Sequence, residues 1–119
     1  MDINAASKNE AVYTFDVPSG KLKWNDALNQ TYGYPATEPA GTLEWWAEHI
    51  HPDDAMILNE TLDKVFNHSV GNWEVEYRFR NASGSYVRVR DHATVMRSEN
   101  GEPLRIIGAL TPLEPRLPA

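Results

Sequence analysis

Apolar and charged side chains alternate strictly over residues 73–80. The apolar positions are Trp73, Val75, Tyr77 and Phe79, and the charged positions between them are Glu74, Glu76, Arg78 and Arg80. A period of two places alternate side chains on opposite faces of a strand, so this segment is predicted to be a strand with one buried face. A second alternating segment covers residues 85–97, where Val87, Val89, Ala93 and Val95 share one face that Asp91 interrupts.

Three further strands are predicted. Residues 11–17 are rich in β-branched and aromatic residues, and residues 21–24 form a short partner after the turn at Pro18-Ser19-Gly20. Residues 104–110 form a final apolar strand, which follows a turn at Glu99-Asn100-Gly101.

The segment between the strand pairs has helical patterns. Asn25 or Asp26 can cap a short helix that runs to about Tyr32, and Thr42 can cap another that runs to about Ile50. Pro52 suits the first turn of a longer helix that ends near His68. Its apolar residues follow a helical spacing: Ala55, Leu58, Leu62, Val65 and Phe66.

This order predicts an α+β fold, a five-stranded antiparallel sheet with short helices packed on one face. The predicted domain covers residues 11–111, after an N-terminal flank at residues 1–10. Pro112 is expected to end the strand ladder and Pro115 to interrupt any helix, so residues 112–119 are interpreted as a proline-rich tail or linker.

Composition narrows the function classes. The net charge of −6 argues against a nucleic-acid partner and against contact with an anionic membrane surface. The chain has no cysteine, and residues 1–9 lack the apolar core of a signal peptide, so a cytoplasmic location is expected. No catalytic motif stands out, so we expect a non-enzymatic module.

Four strings resemble the PAS family in its PAS/PAC sensory-box variant. Residues 46–54 contain His51-Pro52-Asp53-Asp54, like the family's "HPDD". Residues 76–80 match its "EYR" strand, residues 84–89 its following turn and strand, and residues 101–108 its final "G-x-P-x-x-x-x-G" strand. Two positions depart from the family: Arg88 stands where Trp is usual, and Thr111-Pro112 replaces the usual "D-I-T" ending.

The resemblance implies a sensory domain of a larger bacterial signalling protein, such as a histidine kinase of a two-component system or a cyclic-dinucleotide enzyme. Such domains bind a small molecule between helices and sheet, or dimerise to relay a signal. A homodimer through the sheet or the N-terminal flank is therefore expected, with an effector domain next to it in the parent chain. The alternative is a ligand-free interaction module with a filled aromatic core.

The candidate cavity residues are mostly aromatic, as ligand pockets require, although a packed core explains the same residues. They are Trp24, Tyr32, Trp46, Trp73, Tyr77, Val89 and His92. His92 is otherwise interpreted as a surface residue, and Asp91 as the partner of a neighbouring arginine. Arg78, Arg88 and Arg90 are candidates for a partner surface, or for a solvated face of ion pairs.

No metal or obligatory cofactor is expected. His49, His51, Asp53 and Asp54 have the ligand types of a zinc site, but helix initiation already explains the residues at Pro52. Haem would need an inward-facing histidine, and His68 is expected at the end of its helix. Cysteinyl-flavin chemistry is excluded by the lack of cysteine, and noncovalent flavin, like haem, is not excluded but is not favoured.

Overall fold

The computed structural model describes residues 10–35, 41–67 and 69–113. His68, residues 1–9 of the N-terminal flank and Pro115 therefore lie outside the described residues. The strands are β1 (Ala11–Asp16), β2 (Lys21–Trp24), β3 (Asn72–Arg80), β4 (Tyr86–Arg97) and β5 (Pro103–Pro112). The helices are α1 (Ala27–Tyr32), α2 (Leu43–Glu48) and α3 (Ala55–Asn67), with a 3₁₀ turn at Pro52–Asp54 before α3.

The five strands form one antiparallel sheet in the order β2-β1-β5-β4-β3. The predicted α+β architecture is therefore confirmed. The buried residues of the helices, such as Leu28, Trp46 and Val65, join the same core as the inward side chains of the strands. Because β3 and β4 alternate in burial along their length, the sheet has an inner face toward the helices and an outer face toward solvent.

The predicted end of the last strand is wrong, because β5 continues through Pro112. Pro112 lies opposite Val89, and the next residue, Leu113, donates its backbone N–H to the Arg88 carbonyl at 2.9 Å. Backbone N–H groups alternate in direction along a strand, so the missing N–H of Pro112 falls on the side of β1. The β1 ladder begins at Ala11, opposite Leu110, so no described ladder bond is lost there.

The segment around His51 covers part of the free edge of β3. The backbone N–H of His51 donates to the Arg78 carbonyl, and the N–H of Arg80 donates to the His49 carbonyl. Asp54 adds its carboxylate, which accepts from the Arg78 backbone N–H at 2.8 Å and from the Arg78 guanidinium at 3.0 and 2.9 Å. Residues 49–54, which include the "HPDD" string, thus cover the last part of an edge that would otherwise present unpaired backbone groups.

Candidate functional site

Asp91 lies on the inner face of β4, between β5 and β3, with no exposed surface. Its two carboxylate oxygens accept hydrogen bonds from two tyrosines on different strands. Tyr13 on β1 donates to Oδ1 at 2.7 Å, and Tyr77 on β3 donates to Oδ2 at 2.8 Å. The expectation that Asp91 pairs with an arginine is wrong. Arg88 and Arg90, the arginines of β4 closest to Asp91 along the strand, occupy even positions and face outward, whereas Asp91 faces the core.

A glycine on β5 makes room for this arrangement. Gly108 lies between Tyr13 and Ala93 in the sheet register. A Cβ atom at Gly108 would come within 2.5 Å of the Tyr13 hydroxyl and 2.7 Å of the Ala93 Cβ. The Tyr13 ring therefore crosses the space that a side chain at this position would fill, and this crossing brings its hydroxyl to Asp91.

Two tryptophans extend the cluster toward the helices and the end of the sheet. Trp46 on α2 donates its indole N–H to the Tyr77 hydroxyl at 2.9 Å, so Tyr77 both accepts and donates. Trp73 on β3 helps to stabilise the Asp91 charge, although its buried indole nitrogen has no hydrogen-bond partner among the described residues. Helix α2 is thereby connected to Asp91 through one tyrosine.

Burial controls the ionisation of the cluster. Loss of solvation raises the pKa of Asp91 to about 6, and the hydrogen bonds from Tyr13 and Tyr77 reduce the effect. Burial also raises the pKa of Tyr13 and of Tyr77, and the negative charge of Asp91 adds to both shifts. Both phenols therefore stay protonated and act as donors to the carboxylate.

A small apolar cavity adjoins the cluster. It has a volume of about 20 Å³, which is room for roughly one water molecule. Its walls come from β1, β2, β3, β5, α2 and α3. The lining residues are Tyr13, Phe15, Leu22, Trp24, Leu43, Trp46, Leu62, Phe66, Trp73 and Ile106.

Three of the predicted cavity residues line this cavity, namely Trp24, Trp46 and Trp73. Tyr32, Tyr77 and Val89 are buried elsewhere. Tyr32 packs edge-on against Phe79, and Tyr77 donates its hydroxyl to Asp91. Val89 is fully buried opposite Tyr77.

His92 does not line the cavity, because it follows Asp91 on the strand and so faces outward, where its side chain is half exposed. Sequence reasoning missed Tyr13, Phe15 and Leu22, although the alternation of β1 and β2 carries a signal for them.

The arginines of the candidate partner surface are paired. Arg88 contacts Glu76 at 2.8 Å and Arg90 contacts Glu74 at 3.1 Å, across β3 and β4 on the outer face. Arg78 instead reaches Asp54, whose pKa is lowered chiefly by the Arg78 hydrogen bonds. Further along the same face, three apolar residues are exposed, Val12 on β1, Met96 on β4 and Ile107 on β5.

The residues considered as zinc ligands serve local structure. His49 stacks on Trp45 and donates from Nδ1 to the Trp45 carbonyl at 2.7 Å. His51 caps the 3₁₀ turn by accepting from the Asp53 N–H at 3.0 Å. Within residues 10–35, 41–67 and 69–113, no three histidine or acidic side chains are grouped as metal ligands.

Comparison with known proteins places this geometry in a family. The sequence model of the PAS fold matches residues 21–110. The chain therefore belongs to the PAS family, whose domains are sensory modules and not catalysts. No curated protein sequence matches the chain significantly.

Solved structures agree with the fold. The chain is similar to the N-terminal domain of a diguanylate cyclase with PAS/PAC sensor from Marinobacter aquaeolei, at 23% identity and a TM-score of 0.77, covering 87% of this chain and 94% of that one. It is also similar to a sensory box histidine kinase/response regulator from Burkholderia thailandensis, at 21% identity and a TM-score of 0.76, covering 94% and 82% of the two chains. A PAS domain from Colwellia psychrerythraea has 20% identity and a TM-score of 0.71, covering 97% and 98%.

Proposed function

We propose that this PAS domain relays signals within a larger bacterial signalling protein and dimerises through the outer face of its sheet. The main observation in favour of this proposal is that three apolar residues, Val12, Met96 and Ile107, are exposed on that face. Each of them is between 36% and 48% exposed. The Glu74–Arg90 and Glu76–Arg88 pairs, further along the same face, bring both signs of charge to it. In a dimer with two-fold symmetry, the glutamates of one copy can face the arginines of the other, so the same surface can serve on both copies.

The closeness of residues 10 and 111, near the two ends of the described segment, supports a relay role. The first described residue, Glu10, lies beside the end of β5, where the Thr111 hydroxyl donates to its carboxylate at 3.1 Å. His92, on the same face, lies 4.0 Å from that carboxylate. A dimer contact here would lie beside both ends of the described segment. We propose that the parent chain carries a histidine kinase or cyclic-dinucleotide enzyme and acts in the cytoplasm. In the described part of the chain, every helix is too short or too polar to cross a membrane.

Sedimentation equilibrium of wild type and Ile107→Glu tests the dimer. We expect wild type to associate and Ile107→Glu to weaken the dimer at least about tenfold, because a buried charge replaces an apolar contact. Met56→Glu is the control, since Met56 is 71% exposed on α3 and away from the sheet. Wild type that stays monomeric at about 1 mM, where an interaction of only ~4 kcal/mol gives substantial association, would contradict the proposal.

A second candidate function is small-ligand sensing, favoured by the aromatic cavity. Phe66 lines the cavity and is 40% exposed, so a side-chain rotation there opens a path from solvent. The resting volume of about 20 Å³ requires such an opening for anything larger than water. Native mass spectrometry of protein purified from cells is expected to show a retained small molecule, and a clean unliganded mass would count against this role.

A further inference from the structure

The Asp91 cluster contains a buried negative charge without a cationic partner. Among the described residues, no lysine or arginine forms an ion pair with Asp91, and only tyrosine hydroxyls donate to it. A buried carboxylate of this kind is costly in its charged form, and it can relieve that cost by binding a proton.

Binding a proton changes the hydrogen-bond pattern, and not only the charge. The charged carboxylate accepts two hydrogen bonds, one from each phenol. The neutral acid carries an O–H of its own, which needs an acceptor. The available acceptors are the same phenol oxygens, so one tyrosine must turn its own hydrogen away from Asp91. At Tyr77 this oxygen already accepts the Trp46 indole N–H.

We propose that Asp91 is a proton-binding site, and that loading it rearranges the Tyr77–Trp46 hydrogen bonds so that acidification shifts helix α2 against the sheet. The step involves one proton from solvent, which ends on a carboxylate oxygen, and no covalent bond within the protein changes. Trp46 also lines the cavity, so the same proton alters one wall of it. The proposal is independent of whether the domain dimerises or binds a ligand.

The neighbouring groups permit titration near neutrality. The pKa of about 6 lies in a range that cells reach. Three phenols face Asp91 from β1, β3 and α1, and burial keeps the pKa of each raised, so Tyr13, Tyr77 and Tyr32 stay neutral.

Within residues 10–35, 41–67 and 69–113, Asp91 is the one polar or charged residue among the fully buried ones apart from tyrosine and tryptophan, so the buried core around it is otherwise apolar or aromatic. Leu110 lies opposite on β5, and α3 contributes the buried Leu58 and Val65. His92, behind the strand, favours the charged carboxylate when it is protonated.

Proton NMR of the indole N–H groups, recorded from pH 4.5 to 8, tests the proposal. The Trp46 N–H is expected to shift with a midpoint near pH 6. In labelled wild type, the Asp91 carboxyl carbon is expected to titrate with the same midpoint. Because histidines also take up protons in this range, His92→Gln is the background control and should keep both transitions.

Variants locate the source of the shift. Asp91→Asn is expected to abolish the Trp46 titration, and Tyr77→Phe is expected to uncouple Trp46 from an Asp91 titration that persists. The wild-type carboxyl measurement needs no variant, so it decides the matter even where a variant fails to fold. The proposal would be overturned if the carboxyl carbon shift showed that Asp91 stays charged down to pH 4.5. It would also be overturned if the Trp46 N–H shift did not change as Asp91 titrates.

Discussion

The two faces of β3 and β4 carry acidic residues in opposite circumstances. On the outer face, Glu74 and Glu76 meet arginines and remain more than half exposed. On the inner face, Asp91 has no arginine and no exposure, and depends on two tyrosines. Water screens the outer pairs, whereas each donor to a buried carboxylate replaces lost solvation. The same residue chemistry is therefore expected to matter little on one face and greatly on the other.

The largest effect is expected from Gly108→Ala on the inner face. The added methyl group collides with Tyr13 and Ala93 and must push the Tyr13 hydroxyl away from Asp91. Overpacking of this kind combined with a lost hydrogen bond should cost about 3 kcal/mol in the free energy of unfolding. Urea denaturation measures it, with Gly71→Ala as the control, since a Cβ at Gly71 meets nothing within 4 Å. Equal free energies of unfolding for the two variants would show that Tyr13 can move aside without losing stability, and would contradict this prediction.

Tyr77→Phe should come next. The substitution removes the donor to Asp91 and leaves the Trp46 N–H without its acceptor, at a cost of about 2 kcal/mol at pH 8. Tyr13→Phe removes only one hydrogen bond and should cost less. Tyr86→Phe on the exposed face is the matched control and should be neutral. Thermal and urea unfolding would contradict the ranking if Tyr86→Phe were as damaging as Tyr77→Phe.

Asp54→Asn lies between the two extremes, since Asp54 is largely buried but its partner Arg78 is partly exposed. Loss of the paired carboxylate should cost roughly 1 kcal/mol at pH 7. The lowered pKa of Asp54 sets the sign of the pH dependence: the contribution is full above the ordinary carboxyl pKa and disappears as the pH falls through the lowered value. The free energies of unfolding of wild type and variant should therefore differ at pH 7 and become equal at strongly acidic pH. A difference that grows as the pH falls would refute this assignment.

The smallest effect belongs to the outer face. Glu76→Gln removes the ion pair with Arg88, whose side chain is 65% exposed, and should change stability by at most about 0.5 kcal/mol. Raising the salt concentration should remove even this difference, because exposed pairs are screened. A loss comparable to that of Tyr77→Phe would mean that the two faces do not differ as proposed.

The sequence predicts the strands well because alternation is a local signal. β3 is found at the predicted residues, and the outward direction of Arg78, Arg88 and Arg90 follows from the same parity. Helix α2 ends two residues earlier than predicted, at Glu48, because His49 and Ile50 leave the helix to pair with the edge of β3. That pairing joins residues far apart in sequence, and no local pattern encodes it.

The candidate site was less predictable for the same reason. Parity already places Asp91 on the inner face, but its partners Tyr13 and Tyr77 lie on other strands and become neighbours only through the register. The need for glycine at position 108 also becomes visible only when the fold places the Tyr13 ring across it. The continuation of β5 through Pro112 likewise depends on which neighbour its missing N–H faces.

The pH dependence of stability, compared between wild type and Asp91→Asn, tests the buried proton site most directly. The folded-state pKa of Asp91, about 6, lies above the ordinary value of 3.8, so the folded protein holds its proton more tightly than the unfolded chain does. The proton held by Asp91 contributes fully to the free energy of unfolding below about pH 4. This contribution, about 3 kcal/mol in total, is lost as the pH rises to about 6. Urea unfolding at intervals from pH 4 to 8 should show that wild type loses this stability relative to Asp91→Asn as the pH rises. A constant difference between the two proteins across that range would contradict a proton-binding aspartate on the inner face of β4.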